Sequence, residues 1–153
     1  MIEILRIKGI HSTKILDIFK VIDRKFFLNH EMTRDESDNL RSIMIAAAGG
    51  NLNPYADTPK PIGWNTTISA PSMHAETLKN LYEHLISAKT ILDIGTGSGF
   101  LTAAMAYVAP QGSTVYAVDH IEAINKFAKT NIQKVAPQLL KKEKIVFVTQ
   151  DGR

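Results

Sequence analysis

The residues whose types and spacing point most directly to chemistry are Asp93-Ile94-Gly95-Thr96-Gly97-Ser98-Gly99. Alternating glycines let a backbone turn pass close to a ligand. If a helix begins at the next residue, its first unpaired N–H groups and partial positive charge face the same point. A second apolar run, Thr114–Val118, ends in Asp119, which stands 24 residues after Gly95. A carboxylate in that place accepts both hydroxyls of a ribose. The dinucleotide fingerprint would put Gly or Ala at residue 100, where this chain has Phe. An acid as near the turn as Asp93 repels phosphate and suits an ammonium or sulfonium group. S-adenosylmethionine carries both cations, so a methyl donor is expected in preference to NAD. The plain alternative is an ordinary tight turn with Asp119 as a surface or capping residue.

These residues must be positioned by an alternation of strands and helices. Thr90–Ile94, Thr114–Val118 and Ile145–Val148 read as strands, with helices from Phe100 to Ala109 and from about Ile121 to Val135. Such alternation implies parallel strands joined by right-handed helical crossovers. Upstream, Ile15, Leu16, Ile18, Phe19 and Ile22 recur at helical spacing after Ser12, a plausible cap. That helix is expected to end between Asp23 and Phe27. Thr33-Arg-Asp-Glu36 is a capping-box pattern, followed by Leu40, Ile43, Met44 and Ala47 until Gly49-Gly50. The stretch from Asn51 to Pro61 reads as an irregular arm. Ile62–Pro71 reads as a short extended piece leading into a helix that carries Leu78, Leu81, Tyr82 and Leu85.

Composition narrows the classes. The 153 residues fit one domain, and 44% apolar content can supply a core. With no cysteine, disulfide scaffolds, thiolate metal sites and cysteine nucleophiles are excluded, and no metal is expected. No apolar run approaches the roughly 20 residues needed to span a bilayer, and the first residues lack a secretory pattern. A soluble cytoplasmic protein is expected, with no membrane partner. The net charge is +3 with an isoelectric point near 9.1, but Lys and Arg are scattered. Lys141, Lys142 and Lys144, the densest group, read as a solvated turn, so no nucleic-acid partner is expected.

Five segments in order, Pro54–Gly63, Thr67-Ile-Ser-Ala-Pro-Ser-Met-His-Ala75, Leu92–Gly99, Val118-Asp-His-Ile121 and Asp151-Gly-Arg153, closely resemble protein-L-isoaspartate O-methyltransferases. Thr-Ile-Ser-Ala-Pro is far more specific than the glycine turn, which many methyltransferases share. The resemblance implies an α/β, Rossmann-like S-adenosylmethionine-dependent methyltransferase sheet. It also implies methyl transfer to the free α-carboxylate of L-isoaspartyl residues in damaged proteins and peptides, with S-adenosylhomocysteine as product. By the same resemblance Ser69 is the catalytic serine. Thr66, Thr67, Ile68 and His74 line the cofactor and substrate cleft, with Asp93, Gly95, Thr96, Gly97, Ser98 and Gly99 holding the cofactor. Asp119 and His120 correspond to the ribose acid and its neighbour, and Asp151 and Gly152 to the pair bordering the adenine. Taken alone, Ser69 reads equally as a helix cap, His74 as a packed histidine and Asp151-Gly152 as a turn.

Little acid–base work is expected, because a carboxylate is already ionised at neutral pH. Ser69 is expected to orient that carboxylate, and no catalytic triad with His74 is implied. The chain departs from the family in a segment spanning residues 29–51, read as an amphipathic insert, and in Trp64-Asn65-Thr66 before Thr-Ile-Ser. Only the first three strands of the family's seven-stranded sheet are visible, so the expected fold is an incomplete sheet: a single truncated domain over residues 1–153. Its helical N-terminal region is 1–61 and its cofactor-binding half 62–153. Uncovered strand edges predict association or poor stability of the fragment, the full-length form being a monomer. The alternatives are a noncatalytic S-adenosylmethionine-binding fragment, an interaction module built on the insert, a methyltransferase with an RNA or small-molecule substrate, and, third among enzymes, a dinucleotide-dependent oxidoreductase.

Overall fold

The computed structural model of the chain describes residues 1–28, 53–141 and 143–153. Among them the elements are α1 (Ile2–Ile7), α2 (Thr13–Val21), a 3-10 turn (Arg24–Phe27), β1 (Lys60–Gly63), β2 (Thr66–Ile68) and α3 (Pro71–Leu85). These are followed by β3 (Thr90–Ile94), α4 (Phe100–Val108), β4 (Thr114–Asp119), α5 (Glu122–Val135), α6 (Pro137–Lys141) and β5 (Ile145–Thr149). The insert expected over residues 29–51 lies outside the described residues.

Strands β3, β4 and β5 pair in parallel in that order, with Leu92 opposite Tyr116 and Tyr116 opposite Val146. The expected α/β class with an incomplete Rossmann-like sheet is therefore what the chain adopts. Ile91, Val115, Ala117 and Ile145 are buried on the face that α4 and α5 cover. On the opposite face Leu92 and Ile94 are 60% and 57% exposed, and Tyr116 is also exposed. Edge strand β3 and this apolar face are uncovered among the described residues.

The N-terminal elements pack against the α3–α4 side of this layer. Ile15, Leu16, Ile18 and Phe19 bury one face of α2, as their spacing predicts. The helix stops at Val21, earlier than expected, and residues 24–27 tighten into a 3-10 turn. The cause is Asp23, whose carboxylate accepts from the Lys25 backbone N–H at 3.1 Å and so competes with continued α-helix. Helix α1, which the sequence did not announce, buries Leu5.

Two sequence readings are corrected. Ile62–Pro71 is not one extended piece: β1 and β2 form an antiparallel hairpin with Gly63 opposite Thr66. Its turn residues, Trp64 and Asn65, both have positive φ, 50° and 57°, which matches the right-handed twist of hairpin strands. Lys144 is not simply solvated, because its Nζ donates to the Ala109 carbonyl at 2.5 Å.

Phe100 links the two halves of the molecule. It is 1% exposed, and its ring meets Phe19 at 5.4 Å, Phe27 at 5.3 Å and His74 at 4.8 Å. Burying such a ring contributes about 2–3 kcal/mol. A dinucleotide fold keeps this position small for close helix–strand packing; here it carries the side chain that fastens α4 to α2, the 3-10 turn and α3.

Candidate functional site

The glycine turn is shaped by backbone conformations that few residues adopt. Gly95, Gly97 and Gly99 have φ of 85°, 53° and 84°, in the left-handed region open to glycine at little cost. The turn is tied to the end of β4, because the Gly95 and Thr96 N–H groups both donate to the Val118 carbonyl, at 2.8 and 3.1 Å. At Gly99 a Cβ would stand 2.9 Å from the Ala128 Cβ, so α5 lies too close for a side chain there.

Two carboxylates meet at this turn. Asp93, at the tip of β3, is buried and accepts from the Thr102 hydroxyl of α4. Burial pushes its pKa up, the Thr102 hydrogen bond partly offsets this, and nearby Asp119 pushes it further up. Asp119 accepts from the Gly97 N–H and the Ile121 N–H, each at 3.2 Å, one on each oxygen. A carboxylate offers about four acceptor positions, so Asp119 retains capacity for a ligand's hydroxyls. Beside it stands His120, whose side chain is 71% exposed and whose Nδ1 lies 3.5 Å from an Asp119 oxygen.

The opposite wall comes from β2 and the first turns of α3. Ala70 precedes that helix and cannot cap it with a side chain. Asp57 of the arm does so from outside, accepting from the Ser72 N–H at 2.8 Å. The arm is held in turn by Arg24, which is fully buried and donates through Nε to the Pro54 carbonyl at 2.8 Å. Tyr55 donates its hydroxyl to Asp23 at 3.0 Å. Burial pulls the Arg24 pKa down to about 10, with Asp57 opposing. His74, stacked on Phe100, is buried, and its pKa is lowered to about 3, first by burial and then by the Arg24 charge. It is therefore a neutral imidazole at neutral pH.

Between these walls lies a cleft of about 200 Å³. Of the residues expected from sequence, the structure brings Thr67, Ile68, Ser69, His74, Asp93, Gly95, Thr96, Gly97 and Ser98 together in its lining. Ser69 is half-buried there. Thr66 is not in the lining; its hydroxyl turns back to the Gly63 carbonyl at 2.8 Å. Gly99 shapes the turn from behind, and Asp119 reaches the site through the Gly97 N–H. Asp151 and Gly152 stand outside the cleft lining: exposed Asp151 pairs with Arg153 at 2.7 Å, and Gly152 lies against Ile94.

Sequence reasoning missed several participants. Met73, Thr77 and Leu101 also line the cleft; Met73 and Thr77 lie one helical turn apart beside His74, a spacing that would have placed them. Asn131 fixes the turn by donating to the Ser98 carbonyl at 3.0 Å. Asn125 donates to the Val148 carbonyl and the Thr149 hydroxyl, both at 3.1 Å, and to the Asp119 carbonyl at 3.4 Å, which joins the ends of β4 and β5. Polar residues interrupting an apolar helical stripe, as Asn131 does beside Ile124, Ala128 and Ile132, are the signal that was available. Among the described residues no cluster of His, Asp or Glu could hold a metal ion.

Comparisons with known proteins agree with one another. The family model described as protein-L-isoaspartate(D-aspartate) O-methyltransferase matches residues 1–153. A protein-L-isoaspartate O-methyltransferase of Triticum aestivum is 34% identical over all of this chain and 59% of its own length. One from Caenorhabditis elegans is 38% identical over 65% of this chain and 44% of its own. A crystal structure of a protein-L-isoaspartate O-methyltransferase from Plasmodium falciparum in complex with S-adenosyl-L-homocysteine superposes with a TM-score of 0.78 at 27% identity, over 99% of this chain and 62% of that one. The chain spans about half the length of the curated relatives it matches.

Proposed function

This chain belongs to the protein-L-isoaspartate(D-aspartate) O-methyltransferase family, and from that membership we propose that it binds S-adenosyl-L-methionine and methylates the free α-carboxylate of L-isoaspartyl residues in damaged proteins and peptides, which initiates their repair. The observation that carries the reading is the convergence of Thr67-Ile68-Ser69 from the hairpin with Asp93 and Gly95–Ser98 from the glycine turn on one cleft.

The residues present suit this cofactor. Asp93 is a buried carboxyl whose ionised form burial penalises; a ligand ammonium or sulfonium offsets that penalty. Asp119 keeps acceptor positions for ribose hydroxyls. Asp93, Thr96, Gly97 and Ser98 would hold the cofactor on the glycine side, and Thr67, Ile68 and His74 on the other, with His120, Asp151 and Gly152 near its outer end. When bound, S-adenosyl-L-methionine supplies an electrophilic methyl and leaves as S-adenosyl-L-homocysteine. The chain's own contribution is positioning and removal of water. Ser69 donates a hydrogen bond to the acceptor carboxylate, and no residue needs to remove a proton. Neutral His74 keeps positive charge away from the donor's sulfonium. A cytoplasmic location and a monomeric full-length form belong to the same proposal; no helix among the described residues is long and apolar enough to cross a membrane.

The test incubates the chain with S-adenosyl-L-methionine and two peptides identical except for L-isoaspartate or L-aspartate at one position, and quantifies methyl ester. Transfer to the isoaspartyl peptide alone is expected. Equal transfer to both overturns the substrate assignment. Transfer to neither, with calorimetric binding of S-adenosyl-L-homocysteine intact, makes the chain a cofactor-binding piece that is not catalytic by itself. Ser69→Ala should lower turnover about 10- to 100-fold, the loss of one hydrogen bond to a charged group, while leaving S-adenosyl-L-homocysteine affinity within about threefold. Full turnover in that variant would remove Ser69 from the mechanism.

A further inference from the structure

The hairpin tip combines a strained backbone with an anchored ring. Trp64 and Asn65 both occupy the left-handed region, at φ of 50° and 57°. Asn visits that region readily, but for a bulky aromatic residue it is an outlier. Such strain persists only where surrounding contacts hold it. The contact here is specific: the Trp64 ring lies 5.6 Å from the Phe127 ring of α5, tilted by 51°, a favourable arrangement for aromatic pairs. Trp64 is still 40% exposed and is the chain's sole tryptophan.

The other arm of the hairpin meets the glycine turn. The Ile62 Cδ1 lies 3.9 Å from where a Cβ of Gly97 would stand, and Ile62 is fully buried. The hairpin is thus pinned twice to the cofactor-side half of the molecule: through Ile62 to the turn, and through Trp64 to the helix that follows Asp119. Its second strand runs directly into Thr67, Ile68 and Ser69, one wall of the cleft whose other wall is Gly95–Ser98. Whatever fixes the hairpin against α5 therefore fixes the separation of the two walls.

We propose that Trp64, latched on Phe127, is a positioning residue that sets the spacing between the acceptor-side strand β2 and the glycine turn. The inference rests on the methyltransferase reading of the cleft. Trp64 touches neither the reacting groups nor Ser69; it acts through the hairpin. Methyl transfer is sensitive to the distance and alignment of the reacting atoms, so loss of the latch lowers turnover more than it lowers cofactor binding, which Asp119 and the glycine turn sustain from the other wall.

The test uses the whole chain with Trp64→Ala, Trp64→Phe, Phe127→Ala, Phe127→Leu and the double alanine variant. In Trp64→Ala and Phe127→Ala, turnover at saturating acceptor should fall about tenfold, while the calorimetric Kd for S-adenosyl-L-homocysteine moves less than about threefold. Trp64→Phe should restore most of the turnover, and the double variant should be little worse than either single one, because one contact is being removed. Amide hydrogen exchange supplies a readout independent of methyl transfer: exchange in Thr66–Ile68 should rise about tenfold in both alanine variants, with β3 and α3 unchanged. Unchanged exchange and turnover in both variants overturns the latch, as do effects of the two substitutions that simply add. If an alanine variant fails to fold, Trp64→Leu and Phe127→Leu, which remove the ring but keep an apolar side chain, carry the same comparison. A wild-type chain that transfers no methyl, but whose β2 exchange still responds to these substitutions, breaks the activity assignment and leaves the latch standing.

Discussion

On the glycine side of the cleft, shape comes from backbone conformation within a few residues: three positive-φ glycines and a turn tied to the adjacent strand end. On the other side, shape comes from side chains reaching far along the chain. Arg24 holds the Pro54 carbonyl 30 residues on, Tyr55 holds Asp23 across 32, and Asp57 caps α3 across 15. The two walls also carry opposite electrostatic burdens. On the glycine side the Asp93 carboxyl is pushed toward its neutral form by burial, and on the facing wall the His74 imidazole is likewise held neutral, so acid relaxes one wall and stresses the other. A wall built from local conformation fails when its backbone is blocked; one built from distant anchors fails piecemeal.

The largest test of that contrast is Gly99→Ala. A Cβ there forces a residue into φ of 84° and drives it against the Ala128 side chain and backbone. Strain and overpacking together should cost about 3 kcal/mol, lowering the thermal midpoint by about 10 °C. An unchanged midpoint on circular-dichroism melting would mean that the turn yields more easily than its geometry indicates.

Next comes pH. His74 has a folded pKa near 3 against an ordinary 6.5. Above pH 6.5 both states are neutral and nothing is lost. As pH falls from 6.5 toward 3, the unfolded chain takes up a proton that the folded one refuses. This contribution to stability therefore declines at about 1.4 kcal/mol per pH unit, or about 2 kcal/mol by pH 5. Asp93 runs the other way: its folded pKa is raised, so its burial penalty is relieved as pH falls through that raised value toward 3.8. Denaturant midpoints measured across this range should drop more steeply for the wild type than for His74→Gln. Parallel pH curves would mean that His74 is not the group through which acid stresses its wall.

The smallest expected effect is Asp57→Ala, which removes one helix cap supplied from outside the helix. About 1 kcal/mol should be lost, since the 3.9 Å pair with the well-exposed Lys8 adds little. The substitution should leave S-adenosyl-L-homocysteine affinity nearly untouched. An affinity loss as large as that of a glycine-turn variant would erase the distinction between the walls.

The same contrast explains what could be read in advance. Strands β3 to β5, helices α4 and α5 and the glycine turn were legible because alternation of apolar residues, glycine spacing and a terminal acid are all local signals. Ser69 was placed by a motif resemblance, not by any property of a lone serine. The hairpin was missed because neither Trp64 nor Asn65 is a glycine, although Asn65 tolerates the left-handed region. Thr102 looks like an ordinary helical residue, and the place of Asn131 in an apolar stripe signals burial without naming a partner; the partners of Thr102, Asn125 and Asn131 lie on other elements.

Order along the chain by itself determined the parallel strand sequence and the turn beside Asp93. Hydrophobic periodicity and backbone preference act between near neighbours and need no folded context. Only the tertiary structure decided that Phe100 joins the N-terminal helices to the site, that Asp57 caps α3 and that His74 is buried as a neutral base. Each of these depends on bringing residues tens of positions apart into contact, and its energy is set by burial and by the charge of neighbours that only the packed chain assembles.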